Sequence, residues 1–435
     1  MLNKVSHYIQ SQQLLDPDAR YLVAVSGGAD SVCLLLMLKK LGYTVEAVHC
    51  NFNLRGNESL RDEQFVSQLC QTNNIELHII HFDTTTYAKL HKVSIEMAAR
   101  QLRYRYFEQL RRDIGAQGIC VAHHQDDSAE TILMNLVRGT GLRGLTGIKP
   151  QVGHIIRPLL CCNRTEIEAW LQQQGQDYVT DSTNLEANII RNQLRLDIIP
   201  QLQTLVPQAT ANILRSSQRL SQALHIYDAY IEAKKAELIE DDSISISQLL
   251  QQTSPESILF EWLTPMAFSP ATIERIFASL AHPQGGRTWQ SATHQVIIHQ
   301  GRLMVQPLQA PLPTLVIPET GTYVYHQDQK IKVQTLDSPH IEPAAISLDA
   351  ARVSFPLTLR PIAPGDRFRP IGMRGTKLVS DYLADRHQSL FQRQRTLALC
   401  NGAGHIIALL GHCPDDAYKI TAQTTQTLLI KLLED

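Results

Sequence analysis

The sequence predicts an α/β protein: a doubly wound parallel sheet, then a largely helical middle domain and a small α+β C-terminal domain. Short apolar runs alternate with helical patterns, across short loops, through the first two hundred residues. That alternation is what parallel strands with helices on both faces produce. The opening run, Tyr21-Leu22-Val23-Ala24-Val25, is also apolar without interruption, which suits a strand buried on both faces. A third observation, the prolines Pro200 and Pro207 and the change of pattern beyond them, ends the sheet there.

The elements follow in order. After the first strand, Val32 to Lys40 is rich in helix formers and closes on Lys39 and Lys40, which complement a helix C-terminus. Val45 to His49 reads as a second strand, Glu58 to Asn73 as a helix and Ile75 to His81 as a third strand. Ile95 to Asp113 is a long helix, Gly118 to Ala122 a fourth strand and Asp126 to Val137 a further helix. This unit is assigned residues 1–205. The spacing of Ile213, Leu214, Leu220, Leu224, Tyr227 and Tyr230 is helical. Helices and short strands then mix through Gln306, giving a middle, mainly helical domain over 206–312. The proline-rich joint Pro307 to Pro318 leads into a C-terminal domain, 313–435, with strand patterns at Thr322–Tyr325, Lys330–Val333 and Ile406–Leu410.

At 435 residues the chain exceeds what one core holds, and with 43% hydrophobic and 19% charged residues it has a globular composition. It lacks an apolar stretch of membrane-spanning length and an apolar signal segment at Met1–His7, so no membrane association is expected. Its eight cysteines include no CxxC pair. That argues against a zinc ribbon or an iron–sulfur site and for reduced thiols in a cytoplasmic protein. The net charge of −2 hides an asymmetry: Arg352 to Arg395 carries nine Lys or Arg against three Asp, whereas Glu237 to Glu261 is acidic. A nearly neutral chain can therefore present a basic face to nucleic acid.

The most informative string is Ser26-Gly27-Gly28-Ala29-Asp30-Ser31, between the first strand and its helix. Two glycines let the backbone approach a ligand, two serines offer hydroxyl donors, and a helix N-terminus points free N–H groups into the turn. Such a turn binds phosphate. No Lys follows the glycines as a Walker A loop requires. Asp30 would repel phosphate unless a cation lies between them, which makes it a magnesium-associated carboxylate. The plainer alternative is a strand-to-helix turn with Asp30 or Ser31 as cap.

The string resembles the pyrophosphate loop of the PP-loop ATPases, which adenylate a carbonyl-type oxygen. Later blocks narrow the resemblance to the tRNA(Ile)-lysidine synthases. His49-Cys50-Asn51-Phe52-Asn53-Leu54-Arg55-Gly56 is similar to that family's HxNxxLRG stretch, with Phe52 where the family commonly has His. Glu96 to Tyr104 resembles its AxxRY-type helix, with Glu96, Arg100 and Arg103 on one face. His123-His124-Gln125-Asp126-Asp127-Ser128-Ala129-Glu130-Thr131 resembles HHxDDxxET; without the resemblance, Asp126 or Asp127 could simply cap a helix. Arg138 to Gly147 resembles RGxGxxGLxG. Asp181-Ser182-Thr183-Asn184 with Arg191-Asn192-Gln193-Leu194-Arg195 matches DxTN…RNxxR. Near the end, Arg360-Pro361, Pro364 to Phe368, Gly375-Thr376-Lys377 and Asp381-Tyr382-Leu383 resemble the family's C-terminal tRNA-recognition domain. From about Leu205 to Ile317 there is no motif.

The resemblance implies a Rossmann-like PP-loop fold and an ATP-dependent ligation. The lysine ε-amine would join C2 of the wobble cytidine of a CAU-anticodon tRNA(Ile), through an adenylated tRNA, releasing AMP and pyrophosphate. It implies ATP binding at Ser26, Gly27, Gly28, Ala29, Asp30 and Ser31, magnesium at Asp30 and Asp127, and catalytic roles for Asp30, Arg100, Asp127 and Arg191. It further implies tRNA contacts at Arg195, Arg367, Arg369 and Lys377. Free L-lysine is the second substrate, and a homodimer is compatible with the reading.

Overall fold

The computed structural model describes residues 1–54, 56–180, 190–326 and 329–433. Two compact units divide at residue 228. In the first, a six-stranded sheet has the order β3-β2-β1-β4-β6-β5, formed by β1 (Arg20–Ala24), β2 (Thr44–Asn51), β3 (Leu77–His81), β4 (Gly118–Cys120), β5 (Gln151–Val152) and β6 (Ile155–Ile156). All pairings are parallel except the β5–β6 hairpin.

The helices of this unit are α1 (Leu2–Ser11), α2 (Ala29–Lys40), α3 (Asn57–Thr72), α4 (Thr84–His91), α5 (Ile95–Asp113), α6 (Gln125–Arg138), α7 (Gly141–Gly144) and α8 (Arg164–Gln173). Strand alternation decides which face each residue serves. Tyr21, Val23 and Val25 join a core with Val5, Leu34, Leu38, Val66 and Trp170, from α1, α2, α3 and α8. Leu22 points the other way, onto Val48, Ile119, Phe107 and Leu110. The uninterrupted apolarity of β1 is thereby explained: both its faces are covered. The strand order turns back between β1 and β4, so the loops leaving these two strands flank one crevice, the ligand position of open α/β sheets.

Two local details differ from the sequence expectation. α2 begins at Ala29, not Val32, and neither Asp30 nor Ser31 caps it: Gly28 is the N-cap, in extended conformation. Asp30 is thus a first-turn residue, favourable beside the helix N-terminus. The RNxxR-like segment that carries Arg191 and Arg195 is a turn of α-helix, Ile190–Gln193, running into a π-helical turn, Leu194–Ile198, which no sequence pattern announced. Such wide turns favour functional positions.

In the second unit, the helices Pro255–Leu263 and Pro270–Ser279 accompany a five-stranded antiparallel sheet. Its strands are Ile239–Glu240, Ser243–Ser245, Arg302–Pro307, His294–His299 and Thr288–Gln290. Beyond the proline-rich joint come a two-stranded ribbon, Arg367–Phe368 with Lys377–Leu378, and two larger antiparallel sheets of five and four strands. They share a core of Ile317, Ile331, Val333, Leu348, Leu357, Leu399, Ile407, Leu428 and Ile430. Among the described residues no helix is long and apolar enough to cross a membrane.

Candidate active site

The turn after β1 is tied to itself. The Ser26 N–H donates to Ser31 Oγ at 3.1 Å, and Ser31 Oγ donates to the Gly28 carbonyl at 2.9 Å. Gly27 has φ +94°, a left-handed conformation open to glycine at little cost. The Gly27 carbonyl also accepts from Val179 N at 2.9 Å. Ser26 is left exposed at the end of the strand. The turn is thus pre-shaped, with the α2 N-terminus beneath it.

Across the crevice, α6 brings acidic side chains to the same place. One oxygen of Asp30 accepts from Arg164 Nη1 at 2.7 Å. The other is buried, finds no hydrogen-bond partner among the described residues, and lies 3.7 Å from His124 Nε2. Asp127 Oδ2 accepts from the His124 N–H at 3.0 Å and lies 3.5 Å from the same Nε2. The His124 ring, 3% exposed, therefore sits between the two carboxylates. Burial disfavours its charged form, but Asp126, Asp127 and Asp30 outweigh that and raise its pKa. Burial raises Asp30 as well, against the pull of His124 and Arg164. For Asp127 burial also acts upward, yet His124 and Arg191 prevail and hold it low. Asp126 accepts from the Arg164 N–H at 2.8 Å, so it steadies the start of α8.

Arg191 and Arg195 fork onto the same acids. Arg191 donates to Asp127 at 2.9 Å and Glu130 at 2.7 Å; Arg195 donates to Glu130 at 2.6 Å and Asp127 at 3.2 Å. Glu130 is 1% exposed, so its charge is held almost wholly by these two guanidinium groups. Next to them, His123 is pushed down to about 4 by burial and by Arg157 and Arg191. The glycine loop after α6 folds back on it: Ile148 N donates to Ser128 Oγ at 3.1 Å, and Asn135 donates to the Gly144 carbonyl at 2.8 Å.

Arg100 is exposed, with its guanidinium 5.0 Å from the centre of the Tyr104 ring rather than on the acidic cluster. Arg103 lies 5.1 Å above Phe52, which stacks on Phe82 at 5.6 Å. A flat aromatic ring thus serves where the family commonly has His. Asp181 to Asn184 and Arg55 fall outside the described residues.

In the C-terminal unit Arg367, Arg369 and Thr376 line a cavity of about 440 Å³, together with His405 and Tyr418. Arg367 is exposed. Arg369 Nε is 3.7 Å from Asp416, and Lys377 is paired with Asp385. Arg360 is committed to Asp366, at 2.8 Å and 2.9 Å. Several cations of the basic segment are therefore used to build the module.

A family model described as a PP-loop domain matches residues 2–202, and one described as the TilS substrate binding domain matches 239–308. Over 434 residues, covering 99% of each chain, the sequence is 43% identical to a tRNA(Ile)-lysidine synthase of Bacteroides thetaiotaomicron. The chain belongs to the tRNA(Ile)-lysidine synthase family. A Parabacteroides distasonis member is 40% identical over 439 residues, covering 100% of both chains. Among solved structures, a U34-tRNA thiolase of Methanococcus maripaludis covers 50% of this chain and 77% of its own with TM-score 0.43 and 19% identity, too slight a likeness to carry an argument.

Within a lysidine synthase framework, the stretch from about Leu205 to Ile317 that offered no motif contains the residues, 239–308, that the substrate-binding family model matches. Sequence reasoning also passed over Arg164, and it placed His124 and Glu130 in a motif without giving either a role. Arg164 looks like an ordinary first residue of a helix whose capping box is Asn163 and Glu166. Its role arises only because Asp30, 134 residues away, folds against it. The partnerless Asp30 oxygen and the Asp127 carboxylate are hard oxygen donors, the kind magnesium takes. A separate group at the opposite end of the sheet, Glu46, Glu76 and His78, has potential ligand atoms within 4.8 Å of one another. Its buried member, Glu46, is already bonded to Arg20 at 2.8 Å and His78 at 2.7 Å.

Proposed function

We infer that this chain uses ATP to form lysidine on tRNA(Ile). ATP adenylates the C2 carbonyl of the wobble cytidine in the CAU anticodon, and the ε-amine of free lysine displaces AMP. The observation that carries this reading is the meeting of the Ser26–Ser31 turn with the Asp30, Asp127 and Glu130 cluster at one crevice, in a chain of this family.

In this reading Ser26, Gly27, Gly28, Ala29 and Ser31 hold the departing pyrophosphate through N–H and hydroxyl donors. Asp30 and Asp127 would hold magnesium, which supplies positive charge to the phosphates when bound. Arg164 keeps Asp30 aimed, while Arg191 fixes Asp127 against Glu130. Arg195, 37% exposed at its side chain, meets the tRNA backbone on its open side. Exposed Arg100 offsets phosphate charge as negative charge builds in the transition state. The wobble base, from a single-stranded loop, is splayed into the crevice. Residues 1–205 do the adenylation, 206–312 bind substrate, and 313–435 grip tRNA through Arg367, Arg369 and Lys377. The natural setting is the cytoplasm; light scattering at micromolar protein tests for a homodimer.

The deciding assay supplies radiolabelled lysine, ATP and magnesium with a CAU-anticodon isoleucine tRNA transcript, and in parallel a transcript with U at the wobble position. Label entering only the cytidine transcript, with AMP released, supports the reading. AMP formation without label points to another nucleophile, and no AMP at all refutes adenylation.

A further inference from the structure

The reaction above leaves one reactive pair unused. Cys161 and Cys162 end the short turn Pro158–Cys161, and their sulfurs are 3.6 Å apart. Cys162 is fully buried, whereas Cys161 is only half-buried and its sulfur lies 3.8 Å from the Pro158 carbonyl.

The surroundings link this pair to the active site. The Cys162 N–H donates to the Leu159 carbonyl at 2.9 Å, and the Cys162 carbonyl accepts from Gln125 N, the first residue of α6, at 2.8 Å. The next residue, Asn163, caps α8 by accepting from Glu166 N at 2.8 Å. After it, Arg164 binds Asp126 through its N–H and Asp30 through its guanidinium. A single residue, Asn163, separates the sulfur pair from the group that aims Asp30.

We propose that Cys161 and Cys162 form an oxidation site at which a hydroperoxide closes a vicinal disulfide, loosening the hold of Arg164 on Asp30 and switching adenylation off. The Cys161 thiolate attacks a peroxide oxygen, the O–O bond breaks to form a sulfenic acid, and the departing oxygen takes up the proton that the thiol gave to solvent, leaving as alcohol or water. The Cys162 thiol then attacks that sulfur; its proton and the hydroxyl depart as water. Two thiols have lost two electrons, and the peroxide has been reduced by two.

Two physical points favour this chemistry. A hydrogen bond with Cys162 and the ammonium of Lys4 hold Cys161 below the ordinary thiol range, whereas Cys162 is raised; thiolate character selects the attacking sulfur. Adjacent Cα atoms are about 3.8 Å apart across a trans peptide, less than the roughly 4.4–6.8 Å that disulfides span. Closing the ring must therefore distort the Cys161–Cys162 peptide, and the bonds to Leu159 and Gln125 lie on or next to it. Strained disulfides are also the readily reduced ones, which makes the change reversible.

The test treats the full chain with hydrogen peroxide and reads three things: the mass of the peptide carrying both cysteines, the ATP-induced rise in melting temperature, and lysidine formation. The expected result is loss of two hydrogens from that peptide, loss of the ATP-induced rise, and roughly tenfold or greater loss of turnover, all reversed by dithiothreitol. Cys161→Ser and Cys162→Ser should fold, bind ATP and resist peroxide. No mass change, a disulfide with unchanged ATP response, or equal inactivation of Cys161→Ser would each overturn the proposal. The turnover arm rests on the lysidine reading. If untreated protein makes no lysidine, that reading fails alone, because the mass and ATP-response arms still judge the switch.

Discussion

Asp127 serves three neighbours: the His124 N–H, Arg191 and Arg195. Its two functions can be separated. Asp127→Asn keeps an oxygen for the His124 N–H but loses the charge, and should lower lysine incorporation by about 10²–10³ with the fold intact. Asp127→Ala should add a stability loss of about 1 kcal/mol, read by thermal melting, because the N–H of His124, the N-cap of α6, loses its acceptor. The spacing of the acids was legible in the sequence, since Asp126, Asp127 and Glu130 stand in one block. That Glu130 is buried was not, because a glutamate on a helix looks solvated until Arg191 and Arg195 arrive from another segment. In the C-terminal unit, burial pushes Asp366 up, but the Arg360 fork and the Ala363 N–H outweigh it and hold it low. Its contribution to stability is therefore present above the ordinary aspartate pKa of 3.8 and lost as pH falls through the lower folded value. Melting curves across that acid range should show a loss that Asp366→Asn abolishes.

At the level of elements, the glycine loop that folds back on α6 depends on a single backbone state. Gly147 has φ +73°, and a Cβ there would come within 2.5 Å of Ser128 Oγ. Gly147→Ala should cost about 1–3 kcal/mol and displace Ser128 from the Ile148 N–H; calorimetry and lysine incorporation check both. Gly147→Ala leaving the melting temperature unchanged would mean that the loop shifts freely. The strands around the site were legible because each is a short apolar run ended by a polar turn. The five-stranded sheet of residues 239–307 was less so, because strands such as Ile239–Glu240 and Ser243–Ser245 are too short to show a period. The π-helical turn at Leu194–Ile198 was invisible for a different reason: its hydrogen-bond spacing leaves no compositional trace.

Across the whole molecule, a chain with net charge −2 must hold a polyanion, so its cations have to be concentrated. Much of the C-terminal concentration is spent internally, as Arg360 on Asp366 shows. Arg367→Ala should weaken tRNA binding about equally for all sequences and reduce the salt slope by about one. Arg369→Ala should do the same with little local cost, because Asp416 keeps its ion pair with Lys419 at 2.7 Å. Filter binding at several salt concentrations measures both, and an unchanged slope would remove these residues from the tRNA surface. The fold class followed from alternation, but the strand order did not, because pairing of β1 with both β2 and β4 is decided by packing far along the chain. The same distance has a consequence during synthesis. Asp30 receives its arginine from a residue 134 positions later. At about 5–20 residues per second, a ribosome extrudes the phosphate-binding turn roughly ten seconds before the guanidinium that aims it. The nascent chain therefore carries the turn for that interval without the guanidinium that Asp30 binds in the folded protein.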